Sequence, residues 1–263
     1  MGLLKLWIYT VYVQCMESAV TCKLTRAAAK VAGMCTRYIS PETAAIERAW
    51  HVGRSNPWRW PTTPINLFPG YQGPFIRAAR DSTEPQRELI GGQWNLIPWF
   101  AKEPKLKYAT CNARSEELAE KASYKLPWSR GQRCIIPAAV FFEPNWESGK
   151  HIRWAFERTD GEPWGLAGMW NTWIDKATDE IYESYTMLTL NADLHPLMNR
   201  MHKPDPTRPP HMQDKRSVIP IAAESVDSWL FGTVEDAASL LKLPAVENIE
   251  AGPVPSAPAV GGT

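Results

Sequence analysis

An α+β fold, mostly antiparallel strands with short flanking helices, is predicted by three observations. Apolar or alternating stretches recur through the second half of the chain, no long amphipathic helix separates them, and the clear helix-start signals introduce only short segments. The first such signal is Ser40-Pro41, an N-cap and first-turn pair for a helix running to about Val52. Residues 53–74 then hold Pro57, Pro61, Pro64, Pro69 and Pro74 among aromatic residues, which predicts an ordered, wandering loop. Ser115 should cap a short helix that carries Glu116, Glu117 and Leu118 in its first turns. Strands are expected at Cys134–Phe142, His151–Arg158, Trp164–Trp170 and Tyr182–Leu190, with a shorter one at Ser217–Ile221. Val226–Phe231 follows, and Thr233 with Asp236 three residues on forms a capping-box pair that opens the last helix.

The chain of 263 residues is 44% hydrophobic and 22% charged, enough for a sizeable core and incompatible with a fibrous or disordered protein. Its net charge of +1 advertises no nucleic-acid or membrane partner, so any such surface must be local. Thirteen Trp supply flat faces that serve either a core or base stacking, and composition leaves both uses open. Five Cys (15, 22, 35, 111 and 134) without a CxxC argue against a disulfide framework and against a zinc site. No apolar run reaches the roughly 18 residues of a membrane span. Residues 1–33 imitate a secretory leader poorly and read as an N-terminal extension absent from the mature protein. The domain is expected over 34–243, and the Pro-, Ala- and Gly-rich stretch 244–263 as a disordered tail.

Four neighbourhoods hold candidate chemistry. Cys35 follows Met34, and its side chain is small enough to permit removal of an initiating Met. With a free α-amine, Cys35 would condense with an aldehyde to an imine, and its thiol would close a five-membered thiazolidine. An α-amine of pKa about 7.7–8.0 is roughly a tenth to a fifth neutral at pH 7. Asn112 and Arg114 flank a turn entering a helix; Asn112 either fixes that turn or bonds a reacting centre, with Arg114 on a phosphate. Glu143 ends an apolar strand, either where the chain meets water or as a partly desolvated proton carrier. His202 precedes a loop marked by Pro206, Pro209 and Pro210, and Arg216 follows it. His195 and His211 read as loop or surface residues.

In order along the chain, Met34-Cys35-x-Arg37-Tyr38, Asn66-Leu67-Phe68-Pro69, Trp94-Asn95-Leu96-Ile97-Pro98-Trp99 and Asn112-Ala113-Arg114-Ser115-Glu116 resemble the SRAP family of abasic-site processing proteins. Arg133-Cys134-x-x-Pro137 through Phe142-Glu143, Ala167-Gly168-Met169-Trp170, Leu188-Thr189-x-Asn191-Ala192, His202, Arg216 and Trp229-Leu230 continue the series. The resemblance implies a single SRAP-type domain whose strands form a curved sheet or barrel-like core. It also implies a protein that captures abasic sites in single-stranded DNA through an N-terminal Cys and removes its own preceding residues. On that basis Cys35 is the nucleophile, Asn112 orients it, and Glu143 and His202 handle protons. Arg37, Arg114 and Arg216 are expected on phosphates, with Trp99 and Pro69 also at the DNA. No cofactor, metal or membrane is expected, and the implied protein is a cytoplasmic monomer that joins the nucleoid when bound to DNA.

Three departures stand out. Thr36 replaces the usual Gly, and Pro144 replaces a Trp after Glu143, so the stacking role of that Trp is either lost or moved to Trp146. The compact His-x-Arg of the family is split here by the Pro-rich insertion, and Met198 sits at the unshifted position. His202 is preferred because Met198 cannot move a proton and Lys215-Arg216-Ser217-Val218-Ile219 leads into a strand. Two competing functions are a thiol hydrolase using Cys35, His202 and Asn112, and a single-stranded DNA module whose Cys is inert.

Overall fold

The computed structural model describes residues 35–52, 62–80 and 82–255. Expectations for 1–33, Pro57, Pro61 and the last eight residues lie outside them.

Among the described residues twelve strands make two sheets. In the first, β1 (Tyr38–Ser40) lies between β2 (Ile65–Leu67) and β7 (Val140–Asn145), and β8 (Ile152–Arg158) and β12 (Ile249–Pro253) extend the β7 side. The second contains β3 (Gln72–Ala78), β4 (Arg87–Trp94), β6 (Arg133–Ala138), β9 (Trp164–Ile174) and β10 (Ile181–Asn191). These five run β10-β4-β3-β6-β9, and β9 pairs back onto β10, so they close into a barrel-like ring. Short β5 (Asn112–Arg114) and β11 (Arg216–Val218) add to β10. The pairings are antiparallel except where β10 meets β4 and β5, which it pairs in parallel. Gly168 sits where β6, β9 and β10 meet: a Cβ there would lie 2.7 Å from Ile136, 2.8 Å from the Cys134 sulfur and 2.9 Å from the Thr186 carbonyl.

The apolar run expected as one strand at Cys134–Phe142 is two. β6 ends at Ala138 in the barrel and β7 starts at Val140 in the other sheet, with Ala139 donating its N–H to Ile39 O at 2.8 Å between them. Both halves are apolar because both are buried, so composition gives no sign of the switch. Part of the stretch read as loop is strand: β2 and the start of β3 fall before residue 75, with Pro74 opposite Gly91.

Among the described residues four short α-helices flank the sheets. Helix α1 (Thr43–Trp50) starts later than Ser40-Pro41 suggested; Glu42 is its N-cap, while Ser40 remains in β1 and bonds Pro41 O. Ser115–Glu117 is a single 3₁₀ turn with no side-chain cap, and α2 (Lys125–Ser129) follows. The segment Val226–Phe231, given no type by the sequence, is helix α3, and α4 (Val234–Ser239) opens on the Thr233/Asp236 capping box. The expected disordered tail is corrected over its first part. Ile249–Pro253 pairs with Trp154–Arg158 as the sheet's edge strand, a position where Pro253 at the strand end is tolerated.

The sheets share a core through β1. Tyr38 packs edge-on against Trp94 with ring centroids 4.9 Å apart, and its hydroxyl lies 2.6 Å from that of Tyr185, itself against Phe75. Buried hydroxyls that satisfy each other hold β1 to the barrel without an unpaired polar atom.

Candidate active site

β1 brings Cys35 to the site. Tyr38 pairs with Phe141, and Phe142 N–H donates to Arg37 O at 3.1 Å, so the chain entering β1 runs antiparallel beside Phe142-Glu143. Asn112 arrives from the other sheet on β5, in register with Met187 of β10, and its Nδ2 donates to Cys35 O at 2.6 Å. The Cys35 side chain is 1% exposed, and its Sγ donates to Arg37 O at 3.5 Å. Burial pushes this thiol well above its ordinary pKa, and the nearby Glu143 carboxylate adds to the rise, with a smaller contribution from Cys111. The thiol is therefore protonated at neutral pH, with a carboxylate near enough to raise its pKa.

Glu143 is 2% exposed, and its Oε2 lies 2.8 Å from His202 Nε2. His202 is held from both sides. Its N–H donates to Pro144 O at 2.6 Å, and Lys215 Nζ donates to the carbonyls of Met201 and His202, each at 2.6 Å. The residue takes a left-handed backbone, φ 60°, which these bonds sustain. His202 Nδ1 and Asn112 Oδ1 are both buried without a hydrogen-bond partner, two polar atoms available to a bound molecule. Glu143 and His202 thus form a buried pair, whereas Met198 is fully buried in the preceding 3₁₀ turn.

The expected DNA contacts divide. Arg37 Nε donates to Asn66 Oδ1 at 3.0 Å, and its guanidinium lies 4.5 Å from the Phe142 ring centroid and 5.7 Å from that of Phe68. Trp99 is 64% exposed and meets Phe100 edge-on, while Pro69 is exposed in the turn closed by Tyr71 N–H on Phe68 O. Trp146, the possible substitute for the missing Trp, has Lys203 Nζ 5.5 Å from its ring centroid and His151 beside it. Arg114 is half-buried and bonds Asp214 at 2.5 Å. Arg216 corrects the expectation of a phosphate contact. It is 2% exposed, and its two terminal nitrogens bond Glu116 at 2.7 Å, Asp214 at 3.3 Å and the Thr189 carbonyl at 2.9 Å. Two acids and a carbonyl from separate segments hold its charge inside, which no local sequence signal reveals. His195 is also corrected: it is buried, its Nδ1 accepting from the N–H groups of Leu197 and Met198 and its Nε2 facing Pro244 O. His211 is exposed, as expected.

Sequence reading missed Lys215 and Asp214 as supports, because a Lys or Asp in a polar loop ordinarily reads as solvated surface. Asn66 was within a quoted motif but without a role. Cys111 is buried beside Asn112, whose Nδ2 lies 3.5 Å from its sulfur, and burial raises its pKa to about 11. Cys35, Cys111 and Cys134 are all free thiols. Among the described residues no group of three or more His, Cys, Asp or Glu could hold a metal ion, and no helix is long and apolar enough to cross a membrane.

A buried cysteine held by an amide and faced by a carboxylate–histidine pair, mounted where a small barrel meets a second sheet, defines an α+β domain built around one thiol. Residues 34–260 match the SOS response associated peptidase (SRAP) family, and the chain belongs to it. It is 30% identical over 232 residues to the Xenopus tropicalis abasic site processing protein HMCES, covering 78% of this chain and 64% of that protein. A Bacillus subtilis relative, abasic site processing protein YoaM, is 30% identical over 129 residues, covering 49% of this chain and 55% of that protein. A crystal structure of a Bordetella bronchiseptica protein superposes with a TM-score of 0.72 at 31% identity, covering 84% of this chain and all of that one. The chain spans 54–64% of the length of the vertebrate relatives.

Proposed function

We propose that this protein processes abasic sites, binding single-stranded DNA and capturing the ring-opened aldehyde on Cys35 as a thiazolidine. The observation that carries the reading is the convergence of Cys35, Asn112, Glu143 and His202 on one buried point, in a chain whose relatives are named for abasic-site processing. The chemistry needs a free α-amine at Cys35, obtained by hydrolysis of the peptide bond before it, which adds one water. The amine adds to the aldehyde carbon, and the carbinolamine loses water to an imine. The sulfur then adds to the imine carbon as the thiol proton passes to nitrogen, with no net oxidation or reduction. Because the thiol is protonated, its proton needs an acceptor, and Glu143, backed by His202, is the carboxylate beside it. Asn112 fixes the Cys35 carbonyl, leaving its own Oδ1 for the amine or the opened sugar. Arg37 and its aromatic neighbours, with Trp99 and Pro69, form the strand-binding face.

The functional unit is proposed to be a monomeric domain from residue 34 through β12, working in the cytoplasm and at the nucleoid without metal or cofactor. The thiol hydrolase reading is weaker. Such enzymes depend on a thiolate lowered by a histidine partner, whereas here the thiol is raised and His202 bonds Glu143.

Incubation of the purified protein with a single-stranded oligonucleotide bearing one abasic site tests the proposal. A heat-stable crosslink that disappears in Cys35→Ala, with an intact mass that begins at Cys35, is the expected result. Binding without crosslink would leave only a DNA-binding module, and an equally fast crosslink by protein that retains residues 1–34 would refute the N-terminal chemistry.

A further inference from the structure

Arg114 lies two residues beyond Asn112 on β5, so strand alternation places both side chains on one face. Three guanidiniums meet the Asp214 carboxylate there: Arg114 at 2.5 Å, Arg216 at 3.3 Å and Arg208 at 3.6 Å. Asp214 belongs to the Pro-rich insertion and holds a left-handed backbone, φ 57°. Its N–H and that of Lys215 donate to the two oxygens of Asp193 at 3.0 and 2.8 Å. The insertion is braced from within, since Gln213 Nε2 donates to the carbonyls of Asp205, Arg208 and Pro209. The carboxylate therefore reaches the arginines on a preformed loop. Around it Arg114, Arg208, Arg216, Lys121 and Lys215 face Asp193, Asp205, Asp214, Glu116 and Glu117, and these charges cancel.

We propose that Asp214 occupies a phosphodiester seat formed by Arg114 and Arg208 over the buried Arg216, and that it limits how tightly the chain holds a DNA strand. This rests on the reading that a strand enters beside Asn112. A phosphodiester resembles the carboxylate in presenting one negative charge on two oxygens, and the side chains of Arg114 and Arg208 are 39% and 44% exposed, accessible to it. While Asp214 is in place the surroundings carry no net attraction for phosphate. Removing its charge leaves one positive charge at the seat.

Asp214→Asn tests this in the full chain, because Asn keeps the shape and tolerates the left-handed backbone. Binding to undamaged single-stranded oligonucleotide is measured between about 50 and 200 mM salt. The variant should bind more tightly, and its slope of log K against log salt should steepen by about 0.7 for one phosphate gained. Its advantage over wild type should then shrink about 2.6-fold across that range. Adding Arg114→Gln to Asp214→Asn should restore the wild-type slope. Arg208→Gln alone should leave the slope unchanged while Asp214 fills the seat, an arm that does not depend on the folding of Asp214→Asn. Wild-type affinity and slope in a folded Asp214→Asn, or a flattened slope in Arg208→Gln alone, would overturn the seat while leaving the proposed function standing. No binding by any of these proteins at the lowest salt would overturn both.

Discussion

Replacing Glu143 by Gln tests the proton chemistry with two readouts that move in opposite directions. The carboxylate is buried against His202 and raises the Cys35 thiol, so the neutral amide removes both a proton acceptor and a repulsive charge. Capture of an abasic site should slow by about 10²–10⁴-fold, the usual worth of a positioned acid–base group. The thiol pKa should meanwhile fall toward its ordinary value, though burial keeps it raised. Each unit of that fall is a tenfold gain in thiolate, so alkylation of Cys35 by iodoacetamide at fixed pH should accelerate. Gln Oε1 can accept the His202 proton in place of the carboxylate, but its amide N–H groups then lie buried among groups arranged for an anion. An unsatisfied buried donor costs about 1–3 kcal/mol. For a domain of this size each kcal/mol lowers Tm by about 2–4 °C. Gel-resolved crosslinking rates, mass-resolved alkylation and a melting curve on one preparation give all three values. Slower capture accompanied by slower alkylation, or by an equal loss of binding to undamaged strand, would refute the acid–base role and leave Glu143 a structural residue.

Three further outcomes follow from the same geometry. His202→Ala should slow crosslinking while binding to undamaged single strands stays within about twofold, measured by the same gel assay and by fluorescence anisotropy; parallel loss would mean that the side chain holds the loop. Arg133 is buried with its guanidinium on the carbonyls of Trp229 and Gly232 at the end of α3, so Arg133→Met should cost about 2–4 kcal/mol, because the buried Trp229 carbonyl is left unsatisfied and the half-buried Gly232 carbonyl loses a charged donor. Urea denaturation checks it, and a loss below about 1 kcal/mol would contradict the assigned bonds. Thr233→Ala should cost about 0.5–2 kcal/mol through the lost α4 cap. Bonds from the Thr233 N–H and hydroxyl hold the Asp236 carboxyl below its usual pKa, so its contribution is present above an unfolded-state pKa of about 4 and is lost as pH falls through the lowered value. The Tm difference between wild type and Asp236→Asn should therefore close on acidification, and a constant difference would contradict the pairing.

Local signals served well where neighbouring residues alone decide the structure. Thr233 and Asp236 cap each other within one turn, so the start of α4 is written in four consecutive residues. Strands β8 to β10 were legible from alternation and length. Signals failed where the deciding partner is remote. The run from Cys134 to Phe142 is uniformly apolar, yet it changes sheets at Ala139 because β3 and β9 claim its first half and β1 and β8 its second. Ile249–Pro253 has the composition of a tail and becomes a strand because the edge of β8 is there to pair it. Within the site, Cys35, Asn112, Glu143 and His202 are nominated by their neighbourhoods, and the structure brings them together. Arg216 looked like a surface cation because nothing near it in the chain announces Glu116, a hundred residues earlier.

The bond from Asn112 to Cys35 joins a side chain on the barrel to the strand that enters the other sheet. A thiol mounted this way has no private scaffold. Any excursion that slides one sheet against the other pulls the amide from the cysteine carbonyl and, through the short Ala139 connection, shifts Glu143 as well. The four groups should therefore dissolve together, at the free energy of separating the sheets and not at the lower one of fraying a loop. Hydrogen exchange at β1 and β5 should follow that shared opening. The alkylation rate of Cys35 then doubles as a gauge of inter-sheet cohesion in any variant of the fold.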